Sequence, residues 1–325
     1  MLNNFKALFG VLIVLAGVAY YLIQSDGSQH DSGGKFLLPD WQSNPVLIDQ
    51  ITEVKLHKDG ETIKLSKNDG SWHLNDGFFV NMDSLFQLLQ SLKSAEIVEL
   101  KTANPENHAL LNLADDDLQV EILKDSQPLA VLHLGKKSAA GLTFVRRGGE
   151  SQTYTVKGLN DVSFNQDNWQ LKTVLDIQPN DIVAIDIQPV DGEAIKLKRD
   201  PETMSMQLTN MPEGYQLKAG AQINNLDASL SRLMVDDAQP LATDDLVLKL
   251  KNSYQLSDGA NIELSIYQRE ENHYMVIESS HYPHYKNWMM KIAEYKFNAL
   301  NKKLADYIEQ IPDESQVDQE AATLE

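Results

Sequence analysis

The sequence contains no cysteine among its 325 residues. Structural disulfides, a thiol nucleophile, thiolate zinc sites and the acylated cysteine of a lipoprotein are therefore excluded. Basic residues are also scarce, because 28 lysines and arginines stand against 47 aspartates and glutamates and leave a formal net charge of −19. A surface of this sign repels phosphate backbones, so the sequence predicts no nucleic acid partner.

The signatures of several catalytic sites are absent as well. The chain has no G-x-G-x-x-G, no G-x-x-x-x-G-K-[ST], no G-x-S-x-G and no H-E-x-x-H. These patterns mark nucleotide binding, serine hydrolysis and zinc proteolysis. We therefore expect a protein that is not an enzyme and that holds no cofactor and no metal.

One apolar run near the N-terminus is long enough to cross a bilayer. Residues 7–23 read ALFGVLIVLAGVAYYLI, 17 positions without a charge, and a membrane-spanning helix needs about 17 to 25. A cleaved signal peptide is the alternative, since residues 17–19 offer small side chains at suitable offsets. Lys6 on the short flank predicts a cytoplasmic N-terminus, with the bulk of the chain outside a bacterial inner membrane. Gly10 and Gly17, seven positions apart, would share one helix face and allow close packing against other membrane helices.

An internal repeat follows this apolar run. The stretch DGETIKL at 59–65 returns as DGEAIKL at 191–197, and alternating apolar patterns at 51–56 and 182–187 precede the two copies. The fold class predicted is α+β: an N-terminal transmembrane helix, then two tandem repeats, each an antiparallel meander sheet with one or two packed helices. The predicted segments are the cytoplasmic tip and anchor (1–23), a linker (24–45), the first repeat (46–177), the second repeat (178–311) and an acidic disordered tail (312–325).

Local patterns predict individual elements in each repeat. Asp59-Gly60 supplies the positive φ angles of a tight turn, and Asn81 precedes leucines at 85, 88, 89 and 92, which is typical of a capped helix with one apolar face. Predicted strands lie at 62–66, 71–74, 118–123, 130–134, 143–147, 152–156, 262–267, 274–278 and 294–297. Predicted helices of the second repeat carry an apolar stripe at 226, 230, 233 and 234 and a second stripe within 298–310.

The order of these features resembles the bacterial domain of unknown function 4340. The resemblance is carried by the Asp-Gly-Glu turn, the Gly-Ser-Trp72-His strand, the leucine helix, Gly135 after a strand and Tyr154-Thr-Val. It covers 46–176 well and the second copy, which lacks a Trp72 equivalent, more loosely. It implies membrane-anchored exported domains that are often associated with ABC-type transport systems of the gliding-motility kind, and it offers no catalytic residue.

Histidines come closest to a metal constellation. His281 and His284 have an i, i+3 spacing, and His273 lies eight positions before them. Pro283 between them breaks a helix, so the spacing does not place both rings on one face. A solvated loop is the interpretation favoured here.

Two groups of residues are candidates for contact with a partner or ligand. Tyr282, Tyr285 and Trp288 would stack on a partner protein or a sugar if exposed, and would cap a hairpin if buried. Arg146 and Arg147 precede Gly-Gly at an expected hairpin tip, where solvated charges are favoured over a contact with an acidic partner.

The principal functional hypothesis is a non-enzymatic, membrane-anchored periplasmic accessory or scaffold protein of an ABC-type transport assembly. Its expected partners are permease and ATPase components, and its location is the inner membrane with a single pass. An exported binding module for a glycan or peptide is the alternative. A cell-wall hydrolase remains a minor alternative, because among 47 acidic residues some pair of carboxylates can meet in space.

Overall fold

The computed structural model describes residues 35–312 apart from 45, 76 and 243. The predicted anchor at 1–23, with Gly10 and Gly17, lies outside the described residues, as do the start of the predicted linker and the acidic tail from residue 313. Within the part that is described, no helix is both long enough and apolar enough to cross a membrane.

Antiparallel β-structure dominates the described residues, with few and short helices, so the prediction of an α+β class is confirmed at this level. The strands in chain order are β1 (Lys35–Phe36), β2 (Glu53–Lys58), β3 (Glu61–Asn68), β4 (Ser71–Leu74), β5 (Glu96–Leu100), β6 (Gln119–Lys124), β7 (Gln127–Lys137), β8 (Thr143–Arg147), β9 (Thr153–Lys157), β10 (Thr173–Leu175), β11 (Ile182–Pro189), β12 (Ile195–Arg199), β13 (Met206–Leu208), β14 (Tyr215–Leu217), β15 (Leu233–Met234), β16 (Asp237–Pro240), β17 (Val247–Leu256), β18 (Asn261–Arg269), β19 (Asn272–Ser279), β20 (Trp288–Ile292) and β21 (Ile308–Gln310). The helices are α1 (Pro39–Ser43), α2 (Val46–Asp49), α3 (Met82–Ser94) and α4 (Glu294–Leu300).

The chain divides into two compact units, each made of two stretches of sequence. Among the described residues, one unit comprises 35–62 with 86–164, and the other comprises 63–85 with 165–312. This division follows spatial contact. The predicted boundary between residues 177 and 178 follows sequence similarity instead, and it stays a prediction.

The first unit contains seven strands in the order β1-β5-β9-β8-β7-β6-β2, all paired antiparallel. The turn after β2 has positive φ at Asp59 (51°) and Gly60 (79°), as the Asp-Gly pair predicts. Across this turn Nδ1 of His57 lies 2.9 Å from the hydroxyl of Thr62. Residues 35–44 of the predicted linker contain β1 and α1, and Trp41 is buried there.

Helix α3 follows the leucine spacing that predicts it. Oδ1 of Asn81 accepts hydrogen bonds from the backbone N–H groups of Asp83 (3.1 Å) and Ser84 (3.3 Å), which confirms the N-cap. The four leucines of the stripe are all buried: Leu85, Leu88, Leu89 and Leu92.

The second unit is organised around an eight-stranded antiparallel sheet in the order β13-β12-β11-β17-β18-β19-β20-β16. On β18 the side chains of Ile262, Leu264 and Ile266 alternate onto one face and are fully buried. Phe78, from the turn that follows β4, joins the same core. One face of the sheet thus carries the core of this unit.

The helix predicted over 298–310 is wrong. Helix α4 ends at Leu300, and the chain then forms a short 3-10 turn at Leu304–Asp306 and strand β21, which pairs antiparallel with β14. Leu300, Leu304 and Ile308 are nevertheless buried. The four-residue apolar spacing therefore identifies the buried positions, while pairing with β14 decides the backbone conformation.

Two further predictions in this unit are wrong. The stripe at 226–234 is not one α-helix but a 3-10 helix, Ile223–Leu230, followed by β15, which pairs with β10. Arg232 between them has a φ of 50°, which ends a helix. Residues 294–297, predicted as a strand, form the first turn of helix α4. The strand in this part of the chain, β20, ends earlier, at Ile292.

A buried ion pair at the end of β12 supports this unit, and removing it tests the packing. Arg199 donates from Nη2 to Oδ2 of Asp227 (2.7 Å) and through its other N–H groups to the carbonyls of Pro179, Ile182 and Met204. Arg199→Ala leaves Asp227 buried and unpaired, so we expect a loss of about 3 to 5 kcal/mol in the free energy of unfolding, measured by urea unfolding of the full chain.

Lys251→Ala is the control, because the Lys251–Glu263 pair is exposed to solvent and exposed pairs contribute little. Equal losses in the two variants would contradict the structural role of Arg199.

Candidate functional site

A concave surface of about 430 Å³ lies beside β4 in the second unit. Trp72 of β4 forms part of its wall, and we name it the Trp72 cleft. Its lining is mainly apolar or aromatic with a few polar groups: Gly70, Ser71, Trp72, Phe79, Val80, Asn81, Met82, Asp83, Leu171 and His284. An apolar concavity with a few polar groups is the usual form of a small-ligand site.

Aromatic rings support this cleft from the core side. Phe78 is buried and lies 5.1 Å from Trp288 and 5.2 Å from Phe79, measured between ring centroids. Phe79 in turn meets His284 edge to face at 5.0 Å. Edge-to-face packing of this kind fixes ring orientation, so the aromatic wall is held in place by the core.

The three aromatic residues predicted to contact a partner lie next to the cleft but are absent from its lining. Tyr285 is 3% exposed, and burial raises the pKa of its phenol to about 12. Tyr282 stacks on Tyr285 at 6.1 Å and, like Trp288, is half-buried. Their rings therefore cap the second unit, which is the buried alternative considered for them, and contact with a ligand stays a prediction.

The histidines of this segment have separate partners. Partial burial lowers the pKa of His284, so its imidazole is neutral at pH 7. Nε2 of His281 lies 3.3 Å from Oδ2 of Asp258, and Nδ1 of His273 lies 2.9 Å from Oε2 of Glu294. Among the residues that the structure describes, no three His, Cys, Asp or Glu side chains form a group that could hold a metal ion.

A second concave surface, of about 520 Å³, lies at the end of the sheet where β17 begins. We name it the His273 cleft. Charged, amide and apolar side chains contribute to its lining: Val190, Asp191, Val247, Leu248, Lys249, Gln268, Glu271, His273, Glu294, Phe297 and Asn301.

Strand register brings these residues together. Val247 of β17 pairs with Gln268 of β18, which pairs with His273 of β19, so the three form a row across the sheet. A bulge at Lys249 shifts the alternation of β17 by one residue. Val247 therefore lies in the same row as Gln268 and His273. At this row the apolar core face of the sheet gives way to a surface with both apolar and polar side chains.

Helix α4 closes one side of the His273 cleft. The ring of Phe297 stacks on His273 with 3.9 Å between centroids and 10° between planes, while Glu294 on the same helix stands beside Nδ1 of His273. Oδ1 of Asn301, just after the helix, is buried and accepts no hydrogen bond from any described residue. A buried acceptor without a donor is costly, and the residue that carries it lines the cleft.

Arg146 and Arg147 are used inside the first unit. Arg146 is 7% exposed and donates to the carbonyl of Leu113 (3.1 and 3.3 Å) and to Asp115 (3.0 Å). Both Nε and Nη2 of Arg147 donate to the carbonyl of Leu37 (3.1 and 2.9 Å). The interpretation as solvated charges is therefore wrong for Arg146, and contact with an acidic partner stays a prediction for both.

Sequence reasoning missed most of the lining of both clefts. Trp72 carried the family resemblance, but nothing marked it as a site residue. Glu294 lay in a segment assigned to a strand, and Asn301 and Gln268 had no signal in the sequence. The grouping of His273, His281 and His284 and the aromatic residues Tyr282, Tyr285 and Trp288 indicated this part of the chain. His273 and His284 line different clefts, and the three aromatic residues line neither.

Together these features define an α+β protein, largely of antiparallel sheet, with concave surfaces in its second unit. The family model described as domain of unknown function (DUF4340) matches residues 72–252, more than half of the chain, and the chain belongs to this family. The match begins at Trp72 in β4 and ends at Asn252 in β17. No curated protein and no solved structure gives a significant match.

His133 in the first unit provides a test by pH. Burial, and secondarily the nearby charge of Arg146, lower the pKa of His133, whereas Asp115 partly opposes them. The unfolded chain therefore binds a proton before the folded chain as the pH falls. We expect the free energy of unfolding to be highest above the ordinary pKa of 6.5 and to decrease as the pH falls below it.

The measurement is urea unfolding at several values between pH 7.5 and pH 5, for the parent and for His133→Gln. The variant is expected to show a weaker pH dependence, and His281→Gln, at an exposed position, is the control. An unchanged pH profile in His133→Gln would rule out this source of acid sensitivity.

Proposed function

We propose that this protein is a non-enzymatic, membrane-anchored accessory or scaffold protein of an ABC-type transport assembly. The uncharged run at residues 7–23 is the observation that carries the proposal, because its 17 residues match the thickness of a bilayer. With Lys6 on the short flank, the two compact units then lie on the extracytoplasmic side.

The buried arginines have structural partners, which agrees with a role that is not catalytic for these residues. The buried arginines bond backbone carbonyls and a single aspartate each: Arg146 with Asp115, and Arg199 with Asp227. These guanidinium groups stabilise loops through several hydrogen bonds each. The resemblance in the sequence implies association with an ABC-type transport system, and the permease and ATPase components of such a system are the partners proposed here.

Membrane extraction and co-purification test this function. The tagged full chain, expressed in its native membranes, is expected to resist alkaline carbonate and to recover a permease and an ATPase in mild detergent. The comparison chain lacks residues 1–24, and alkaline carbonate should release it from the membrane fraction. A full chain that is extracted by carbonate, or that recovers no transport component, would count against the proposal.

The anchor is also expected to contribute to the contact. Gly10→Leu with Gly17→Leu would block close approach of another helix on that face, so recovery of the permease should fall severalfold while membrane insertion is retained. Ala16→Leu with Ala19→Leu is the control, since it adds bulk to the same run at positions that would face away from Gly10 and Gly17 on a helix. Unchanged recovery with the glycine variant assigns the contact to the extracytoplasmic units.

A second candidate, an exported module that binds a glycan or peptide, is favoured by the Trp72 cleft. Its wall combines Trp72, Phe79 and Met82 with the polar groups of Asn81 and His284. Quenching of tryptophan fluorescence by oligosaccharides or peptides, lost in Trp72→Phe, would support this candidate. The hydrolase alternative would need an acid and base pair, and in the described structure no hydrogen bond joins His284 to Asp83, the carboxylate of this cleft.

A further inference from the structure

We propose that the His273 cleft binds a lysine or arginine side chain carried on an apolar, extended segment of a partner protein. The inference rests on the accessory function proposed above, for which it names a contact surface and a class of partner. It is argued from the rim of the cleft, from its charge and from its unpaired hydrogen-bond acceptor.

The rim is apolar and open to solvent. Val190, Val247 and Leu248 are 63%, 59% and 38% exposed, and all three line the cleft. The backbone N–H of Val190 donates to the carbonyl of Lys249 (2.9 Å), so the end of β11 is tied to the start of β17. Exposed apolar side chains grouped around a cavity mark a contact surface, and apolar residues of a partner segment would cover them.

The charge of the lining is acidic. Asp191, Glu271 and Glu294 contribute three carboxylates against the single ammonium of Lys249. Asp191 is already engaged, because Nζ of Lys303 lies 2.8 Å from its Oδ2. Glu271 remains as an acceptor. Glu294 already has Nδ1 of His273 beside Oε2 (2.9 Å) and Nδ2 of Asn298 donating to Oε1 (3.3 Å), but each carboxylate oxygen has a second lone pair and the side chain is 64% exposed. A cationic group is therefore the complement of this lining.

The unpaired acceptor, Oδ1 of Asn301, indicates that the ligand carries a hydrogen-bond donor. Oδ1 of Asn301 is buried without a donor among the described residues, and Asn301 follows the helix that carries Glu294. Guanidinium and ammonium groups offer five and three N–H donors and no acceptor. Such a group would bond the carboxylate of Glu294 directly, with its aliphatic stem along the apolar rim. A rotation of the Asn301 side chain would bring the buried amide oxygen to the same group.

A glycan fits this lining less well. Sugars are held by exposed aromatic faces, and the aromatic ring of the lining, Phe297, is buried and stacked on His273. An acidic segment would be repelled by Glu271 and Glu294. The observations therefore favour a basic peptide segment of a protein.

The test uses the full chain in mild detergent and three defined probes. These are fluorescein-labelled Gly-Leu-Val-Arg-Val-Leu-amide and the matched peptides with glutamine or glutamate in place of arginine. Fluorescence anisotropy measures the affinity. We expect the arginine peptide to bind at least about tenfold more tightly than the glutamine peptide, as for one charge-assisted hydrogen bond, and the glutamate peptide to bind most weakly.

Two pairs of variants assign the binding to the cleft. Glu294→Gln should remove most of the preference for arginine, whereas Glu263→Gln, at a carboxylate on β18 paired with Lys251, should keep it. Val247→Ser should weaken the arginine and glutamine peptides alike by severalfold. Val98→Ser, at a valine of β5 that is 50% exposed, should not. Circular dichroism confirms that each variant is folded.

The outcomes separate this inference from the accessory function. Equal affinities for the three peptides, no binding of any peptide, equal effects of Glu294→Gln and Glu263→Gln, or binding of maltotriose in place of the arginine peptide would each overturn the inference. Recovery of a permease and an ATPase by the Glu294→Gln chain at the parent level would then leave the accessory function standing. Loss of that recovery in Glu294→Gln alone supports both.

Discussion

Guanidinium groups that bind backbone carbonyls, two of them buried and one partly buried, are the constraint on which both units depend. The chain has no cysteine, so no disulfide ties the loops that leave its sheets, and carbonyls at strand ends still need donors once buried. Arg146 supplies two N–H bonds to Leu113, Arg147 two to Leu37, and Arg199 one each to Pro179, Ile182 and Met204. One planar group can satisfy several acceptors in fixed directions, so three side chains fix loops from both units.

Local patterns in the sequence predict several elements of the first predicted repeat (46–177) well and the end of the chain poorly. Strands β4 and β8 begin and end at the predicted residues, and helix α3 follows from Asn81 and the leucine stripe. These elements are specified by neighbours within a few positions. The segment 298–310 has an equally clear apolar spacing, yet its last residues pair with β14, more than 90 positions away in the sequence, through Ile308 and Leu217. Local spacing carries no information about such a partner.

The clefts were less predictable than the fold for the same reason. The Trp72 cleft unites β4 with His284, and the His273 cleft unites β17, β18, β19 and helix α4. Their composition depends on strand register, and a one-residue bulge at Lys249 decides which side chain of β17 joins the row of His273. A sequence with 47 acidic residues offers many carboxylates, and only register shows which of them stand beside apolar side chains.

The net negative charge alone would attract any cation. Discrimination between basic and neutral segments therefore has to come from the free energy needed to remove water from a carboxylate when a segment covers it. Glu294 is largely solvated in the free protein, and a segment that covers the rim of Val247 and Leu248 would remove water from it. A neutral segment would then leave this carboxylate with only its contacts to His273 and Asn298, and the hydration that it loses would offset the gain from the apolar contact. A basic segment would exchange water for a charge-assisted hydrogen bond. Selectivity in such a cleft therefore arises more from rejection of neutral and acidic segments than from attraction of basic ones, and it depends on the apolar rim as much as on the carboxylate.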